Sequence, residues 1–218
     1  TGILLALVVK FSIHEPVRGA MEFGEKKDIH KPPFLESLKT LLKIPAWWAM
    51  CFGTAFGAFV SYSKSAFHTK FLVTLDPSFD FKTLVILLGI INGITYAGGA
   101  FFGARLADKW GKKDIRAYGW LPAISISLCL PIGITAWWAS SVEINLIFTS
   151  LFLLFYGTYL GPCFAIAQTL APIHMRAMST ALFFFFINMI GLGLGPTTSG
   201  WLIDFFGTDS TNIDSMRF

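Results

Sequence analysis

Five long apolar runs separated by short polar connectors dominate this chain of 218 residues. A helix needs about 20 apolar residues to cross the roughly 30 Å core of a bilayer, and every run reaches that length. Because the connectors are short, consecutive helices must run antiparallel. The pattern predicts an all-α membrane protein with a polytopic helical bundle. The predicted spans extend approximately from Trp47 to Val73, Leu84 to Ala107, Tyr118 to Ala139, Ile144 to Leu170 and Ala177 to Phe206.

The composition agrees with a membrane protein and excludes several soluble classes. Hydrophobic residues make up 54% of the chain and charged residues 14%, against about 45–50% and about 25% in soluble domains. Cys51, Cys129 and Cys163 lie in apolar runs without paired spacing, so we interpret them as small hydrophobic residues. We therefore expect no disulfide framework, no metal site and no cofactor.

The basic residues are concentrated in alternate loops. Loops 14–46, 108–117 and 171–176, with Arg105 just before the second, carry most of the Lys and Arg, whereas Lys82 is one of the few on the opposite side. Lys and Arg near span ends accumulate on the cytoplasmic side, so these three loops are predicted to be cytoplasmic. The net charge of +4 then reflects topology, and a plasma or bacterial inner membrane is expected as partner, without nucleic acid.

The regions outside the five runs complete the predicted organisation. Residues 1–13 are apolar and are interpreted as the end of a further span. Residues 14–46 form a long cytoplasmic loop, in which the pattern FLESLKTLLKI at 34–44 is typical of a helix lying in the membrane interface. Residues 47–206 are the transmembrane bundle, and 207–218 are a polar extracytoplasmic tail.

One cytoplasmic connector has an ordered pattern beyond its charge. It reads GARLADKWGKKD from Gly103 to Asp114. Small residues at Gly99 and Gly103 allow close helix approach, Asp108 can face a helix N-terminus, and Gly111 permits a tight turn. A plain basic loop that only sets topology is the alternative interpretation.

That connector resembles the loop signature of the major facilitator superfamily, Gly-x-Leu-Ala-Asp-x-x-Gly-Arg/Lys-Arg/Lys, with Ala104 in the first glycine position. The run GLGLGPTTSG at 191–200 is similar to the family's helix motif Gly-x-x-x-Gly-Pro-x-x-Gly-Gly, with Ser199 replacing one glycine. The segments YLGPCFAIAQTLAPIHMRAMSTAL and FFINMIGLGLGP resemble the spinster-like subfamily. Together the resemblance covers nearly all of Phe34 to Asp204.

The resemblance implies a fold of two six-helix bundles that rock around a central cavity. On that basis residues 1–13 end helix 6 and 47–206 hold helices 7 to 11, so the sequence corresponds to the C-terminal half without helix 12. It further implies two conformational elements. The expected gating residues are Asp108, Gly111, Lys112 and Lys113 at the cytoplasmic face, and Gly191, Gly195 and Pro196 in helix 11.

Helices 7, 8, 10 and 11 line the cavity in the family, and polar residues recur on them here. The stripe Thr54, Gly57, Ser61, Lys64 and His68 repeats at helical spacing on the first full span. A cation inside a span is a functional candidate by default. The full set of substrate-contact candidates is Lys64, Ser61, Tyr156, Tyr159, Asn92 and Asn188.

Each candidate also has a structural interpretation. Lys64 is close enough to the outer surface to extend its ammonium to water, and His68 is expected at the interface. The tyrosines can pack with their hydroxyls bonded to neighbouring helices. Asn92 and Asn188 are expected mainly as hydrogen-bonding bridges between helices.

The function favoured by these patterns is a secondary transporter working by alternating access, with an amphipathic lipid or organic anion as substrate. A non-transporting membrane receptor or scaffold with the same fold is the alternative. The acids all lie in loops or at helix ends, so a carboxylate coupled to proton flux is expected outside this sequence. Enzymatic activity is not expected, because the four histidines are dispersed.

Overall fold

The computed structural model describes residues 34–114, 116–172 and 175–206, together with residues 2, 8 and 10–12. The chain divides into two compact units, residues 1–32 and 33–218. In the first unit the described residues are helical. Residues 14–33 of the predicted loop 14–46, and the predicted tail 207–218, lie outside the described residues.

The second unit is built from helices throughout its described part. Helix boundaries agree with the predicted runs to within a few residues. In chain order the helices are α1 Phe34–Leu42, α2 Pro45–Leu75, α3 Phe81–Ile91, α4 Ala97–Gly111, α5 Ala117–Trp137, α6 Val142–Thr169, α7 Arg176–Phe186 and α8 Gly195–Phe206, with π-helical segments Asn92–Tyr96 and Ile187–Leu194.

Four of the described helices are long and apolar enough to cross a membrane: Phe81–Gly111, Ala117–Trp137, Val142–Thr169 and Arg176–Phe206. The first predicted span, α2, forms a helix of 31 residues but is not among these four. Its polar residues, which include Lys64, lower its mean hydropathy. Five membrane-spanning helices were predicted, and four of them are apolar enough by this measure.

Local sequence signals set the helix ends. Proline is tolerated in the first helical turn, and α2 begins at Pro45. The Asp80 carboxylate caps α3 by accepting hydrogen bonds from the Thr83 backbone N–H at 2.9 Å and from its hydroxyl at 2.6 Å. The Ser141 hydroxyl accepts from the Ile144 backbone N–H at the start of α6.

Glycine pairs four residues apart bring helices into backbone contact. A Cβ at Gly99 or Gly103 would overlap the α6 backbone at Leu154 or Thr158. This confirms the close approach predicted for both glycines. The pair Gly191 and Gly195 packs in the same way against α2, where a Cβ would lie 2.8 Å from Ala58 Cβ and from Phe59 O respectively.

The two helices that carry these glycines share one layout. Phe81–Gly111 and Arg176–Phe206 are each 31 residues long. Each starts with an α-helical segment of 11 residues, continues through a π-helical segment and ends as an α-helix. Each then packs its glycines on a long helix, α6 for the first and α2 for the second.

A buried polar link fixes the end of the bundle near α1. The Trp47 ring Nε1 donates to Ser179 Oγ at 2.7 Å, and Ser179 donates to the Ala167 carbonyl at the same distance. Both side chains are fully buried. The link joins α2, α6 and α7 without leaving a buried donor unpaired. Nearby, Leu41 of α1 is buried while Leu35 is exposed.

Candidate substrate cavities

Two cavities on opposite sides of α2 hold most of the candidate residues. The first, of about 730 Å³, lies between α2, α5, α6 and α8. The second, of about 420 Å³, lies between α2, the Phe81–Gly111 helix, α6 and the Arg176–Phe206 helix. They differ in chemistry, because the first contains a cation and the second contains amides and tyrosines.

The second cavity brings together four of the six predicted substrate residues. Ser61, Asn92, Tyr156 and Asn188 come from four different helices and line the same space. Two tyrosines, Tyr62 and Tyr96, line the cavity beside them, and only Tyr62 had no signal in the polar pattern of the sequence. Tyr96 ends the first π-helical segment, four residues after Asn92. That spacing on a helix was the signal available in the sequence.

Asn92 and Asn188 bond within their own helices. Asn92 Nδ2 donates to the Leu88 carbonyl at 2.8 Å, and Asn188 Nδ2 donates to the Phe184 carbonyl at 2.8 Å. Both asparagines are exposed. The bridges between helices that the sequence favoured for these amides are therefore not what the structure shows. A short polar side chain can satisfy a carbonyl one turn earlier without a second helix.

The two predicted tyrosines differ in position. Tyr156 lines the second cavity and lies parallel to Phe152, with 5.9 Å between ring centroids. Tyr159 is 2% exposed and packs against Gly57, where a Cβ would lie 2.7 Å from its hydroxyl oxygen. That hydroxyl has no hydrogen-bond partner within the described ranges. Tyr159 is thus a packing residue in this conformation.

Lys64 lies on the other side of α2 and lines the first cavity. Its Nζ donates to Thr149 Oγ1 at 3.2 Å and lies 4.2 Å from the ring centroid of Phe152. The side chain is only 9% exposed. The remaining lining is mainly aliphatic and aromatic, and Lys64 is its one charged residue among those the structure describes.

His68 is buried beside Lys64. Its Nε2 is 2.8 Å from Asn145 Oδ1 and 3.3 Å from Thr149 Oγ1. Asn145 also donates from Nδ2 to the Ala136 carbonyl at 2.6 Å. The imidazole is turned inward because α6 presents these polar partners one turn apart. Sequence reasoning missed Asn145, although it is four residues before Thr149.

The loop motif from Gly103 to Asp114 includes the tight turn between α4 and α5. Asp108, Lys112 and Lys113 are exposed. The Tyr118 hydroxyl lies 3.5 Å from Asp108 Oδ1, and a Cβ at Gly111 would overlap the Tyr118 ring. Only a glycine leaves room for that ring. The carboxylate thus faces the first turn of α5.

The last predicted span changes from a π-helical to an α-helical segment at its motif. The π-helical segment ends at Leu194, and Pro196 is the second residue of α8. Proline lacks an N–H, so the regular backbone bonds are interrupted here. The Thr198 hydroxyl donates to the Leu194 carbonyl one turn earlier at 2.7 Å.

The cysteines and acids do not assemble into a metal-binding group in the part of the chain that is described. Cys51, Cys129 and Cys163 are separately buried as free thiols. Cys129 Sγ lies 3.7 Å from the Phe152 carbonyl as a weak donor. Their positions agree with the interpretation of small hydrophobic residues.

With this architecture established, comparison with known proteins identifies the family. Residues 1–196 match the model of the Major Facilitator Superfamily. The chain therefore belongs to the Major Facilitator Superfamily and is part of a multi-pass integral membrane protein. The family resemblance read from the loop and helix motifs is confirmed.

Individual relatives refine that assignment. An MFS-type efflux pump of Mycolicibacterium smegmatis is 27% identical over 164 residues, which cover 75% of this chain and 38% of that protein. The crystal structure of a bacterial homologue of the human lysosomal transporter Spinster, inward-facing and unoccupied, matches with a TM-score of 0.74 and 26% identity. The match covers 94% of this chain and 43% of that one. The inward-facing occupied form gives 0.70 at 24% identity.

The chain thus spans less than half the length of these relatives. Spinster-like similarity, expected from two sequence segments, agrees with the solved structures.

Proposed function

We propose that the complete protein containing this chain is a secondary transporter that moves an amphipathic substrate by alternating access. The second cavity is the proposed substrate surface of this half. The observation that carries the proposal is the convergence of Ser61, Asn92, Tyr156 and Asn188 on one space from four helices. A ligand cavity typically combines an apolar lining with a few converging polar groups.

The residues of the loop motif and of the last helix motif take conformational roles in the proposal. Asp108, Gly111, Lys112 and Lys113 stabilise one state of the cytoplasmic face. Gly191, Gly195 and Pro196 let the last helix pack closely and bend. Two-state transport requires elements of this kind, because a substrate shifts an equilibrium only through differential contacts with the two states.

Lys64 and Tyr159 are separate from the proposed substrate surface. A substrate contact for Lys64 remains a prediction, and it would require a ligand in the first cavity. The orientation proposed is the one expected from the loop charges, with loops 108–117 and 171–176 in the cytoplasm of a plasma or bacterial inner membrane.

Lipid movement by the complete protein in proteoliposomes tests the proposal. A fluorescent lysophospholipid is loaded into the inner leaflet, and its arrival outside is measured by a membrane-impermeant quencher. Tyr156→Ala is expected to reduce the rate by about tenfold or more, whereas Ser127→Ala in the first cavity leaves it unchanged. Equal rates with and without protein would count against a lipid transporter.

A further inference from the structure

The lining of the second cavity is suited to binding a cation. We propose that it binds the alkylammonium head of an amphipathic molecule, with Asn92 and Asn188 as acceptors and a ring of aromatic side chains around them. This inference rests on the proposed function, because it names the substrate class of the same cavity.

The two asparagines present amide oxygens. Each Nδ2 donates at 2.8 Å to a carbonyl one turn earlier in its own helix. That bond fixes the amide plane, and neither Oδ1 accepts a hydrogen bond from the described residues. An ammonium group is a donor with no acceptor capacity. Two amide oxygens with fixed orientation are therefore suitable acceptors for an ammonium group.

The asparagines occupy similar places in the two helices that contain π-helical segments. Asn92 is the first residue of one π-helical segment, and Asn188 is the second residue of the other. Segments of this kind occur frequently at functional sites. Two helices with one layout thus deliver the same side chain to the same cavity. A head group bound in this cavity would contact an asparagine from each of the two helices.

Aromatic rings line the cavity beside the two asparagines. Tyr62, Tyr96 and Tyr156 line the cavity along with Phe164 and Phe184. The ring centroids of Tyr96 and Tyr156 lie 6.1 Å apart, and those of Phe164 and Phe184 lie 4.8 Å apart. Ring faces carry negative potential and attract a cation within about 6 Å.

The cavity offers no counter-charge to an anion. None of its described lining residues is charged, and Lys64 lines the other cavity. An organic anion, the other substrate class that the sequence favoured, therefore has no charged partner among these residues. Leu153, Leu160 and Ile187 provide the apolar wall for a hydrocarbon chain.

Head-group competition on the complete protein tests this inference. The ligands are octylammonium, octyl phosphate and octanol, which share one chain and differ in head charge. Dissociation constants follow from ligand-induced shifts in the thermal unfolding midpoint. Octylammonium is expected to bind about tenfold more tightly than either of the others, the range that a desolvated cation–ring contact supplies.

Charge variants separate a binding role from a structural one. Asn92→Asp is expected to tighten octylammonium and weaken octyl phosphate, and Asn92→Leu to abolish the preference. Ser127→Asp is the matched control, because it puts the same charge in the first cavity, and it should leave the ratio unchanged. Both asparagine variants should fold, since the Asn92 amide is exposed and bonds only its own helix.

Three results would overturn the inference. They are equal or tighter binding of octyl phosphate by the natural protein, an equal response to Asn92→Asp and Ser127→Asp, and no binding of octylammonium at all. If lysophospholipid movement persists in any of these cases, the transporter proposal stands while the ammonium assignment fails. Loss of that movement together with ammonium binding would reject both.

Discussion

At the residue scale, the polar stripe of α2 shows what a sequence can and cannot assign. Charge and spacing were sufficient to select Ser61, Lys64 and His68. They could not show which cavity each side chain faces, because residues three apart on a helix differ by roughly 60° in direction. That difference places Ser61 in the second cavity and Lys64 in the first. The neighbouring helices decide the outcome, and a single sequence does not specify their positions.

Replacing Asn145 should destabilise the buried polar network of α2 and α6 more than replacing any other of its residues. Its amide holds His68 on one side and the Ala136 carbonyl on the other, at 2.8 and 2.6 Å. Asn145→Leu removes one hydrogen bond from each group, which leaves His68 Nε2 with Thr149 Oγ1 at 3.3 Å and the Ala136 carbonyl with the Ala139 N–H at 3.3 Å. We expect a loss of about 1–2 kcal/mol in unfolding free energy.

Thermal unfolding of the complete protein in detergent measures this effect. The control is Asn92→Leu, since the Asn92 amide is exposed and bonds only its own helix. The network would be shown to be unimportant for stability if both variants unfolded at the temperature of the natural protein.

At the element scale, helix positions were predictable and helix irregularities were not. The hydrophobic runs located α3 to α8 to within a few residues. The π-helical segments were missed, because they arise where tertiary packing adds a residue to a turn, and no local residue pattern demands that. The glycine spacing did predict close approach at Gly99 and Gly103, since small residues leave a groove for another backbone.

Gly103→Ala should separate α4 from α6. The new methyl group would overlap backbone atoms of Thr158, and backbone cannot move aside as a flexible side chain can. We expect destabilisation of about 1–3 kcal/mol. Gly89→Ala is the matched control, because no heavy atom lies within 4 Å of its Cβ.

For that control we expect no loss, and up to about 1 kcal/mol of gain from helix propensity. Both values come from chemical or thermal unfolding of the complete protein. Equal stability of the two variants would mean that α4 does not pack on α6 as described.

The cap of α3 should make stability depend on acidic pH. Hydrogen bonds from the Thr83 side chain and backbone lower the pKa of Asp80 below its ordinary value of 3.8. A lowered pKa stabilises the fold above the ordinary pKa, and the contribution is lost as pH falls through the folded value. Asp80→Asn keeps an acceptor but does not titrate.

Unfolding midpoints measured from pH 6 downward should therefore decline more for the natural protein than for Asp80→Asn, with the difference confined to the acidic end. Parallel curves for the two proteins would show that the Asp80 carboxylate does not contribute through this cap.

At the scale of the whole molecule, short sequence motifs predicted the family. They did not predict the arrangement of the cavities. The loop at Gly103 to Asp114 and the helix motif at 191–200 were enough for the superfamily, which the match over residues 1–196 shows. The division of candidate residues between two cavities depends on which helices meet. That is a property of the folded bundle.

The central claim is that the second cavity opens alternately to the two sides of the membrane. The most direct measurement is thiol labelling of Ser61→Cys in the complete protein, after Cys51, Cys129 and Cys163 are replaced by alanine. A membrane-impermeant maleimide is applied to vesicles of each orientation, and Ser127→Cys in the first cavity is the comparison. We predict that Ser61→Cys reacts from both sides, with the substrate changing the two rates in opposite directions. Reaction from one side only, unaffected by substrate, would contradict alternating access at this cavity.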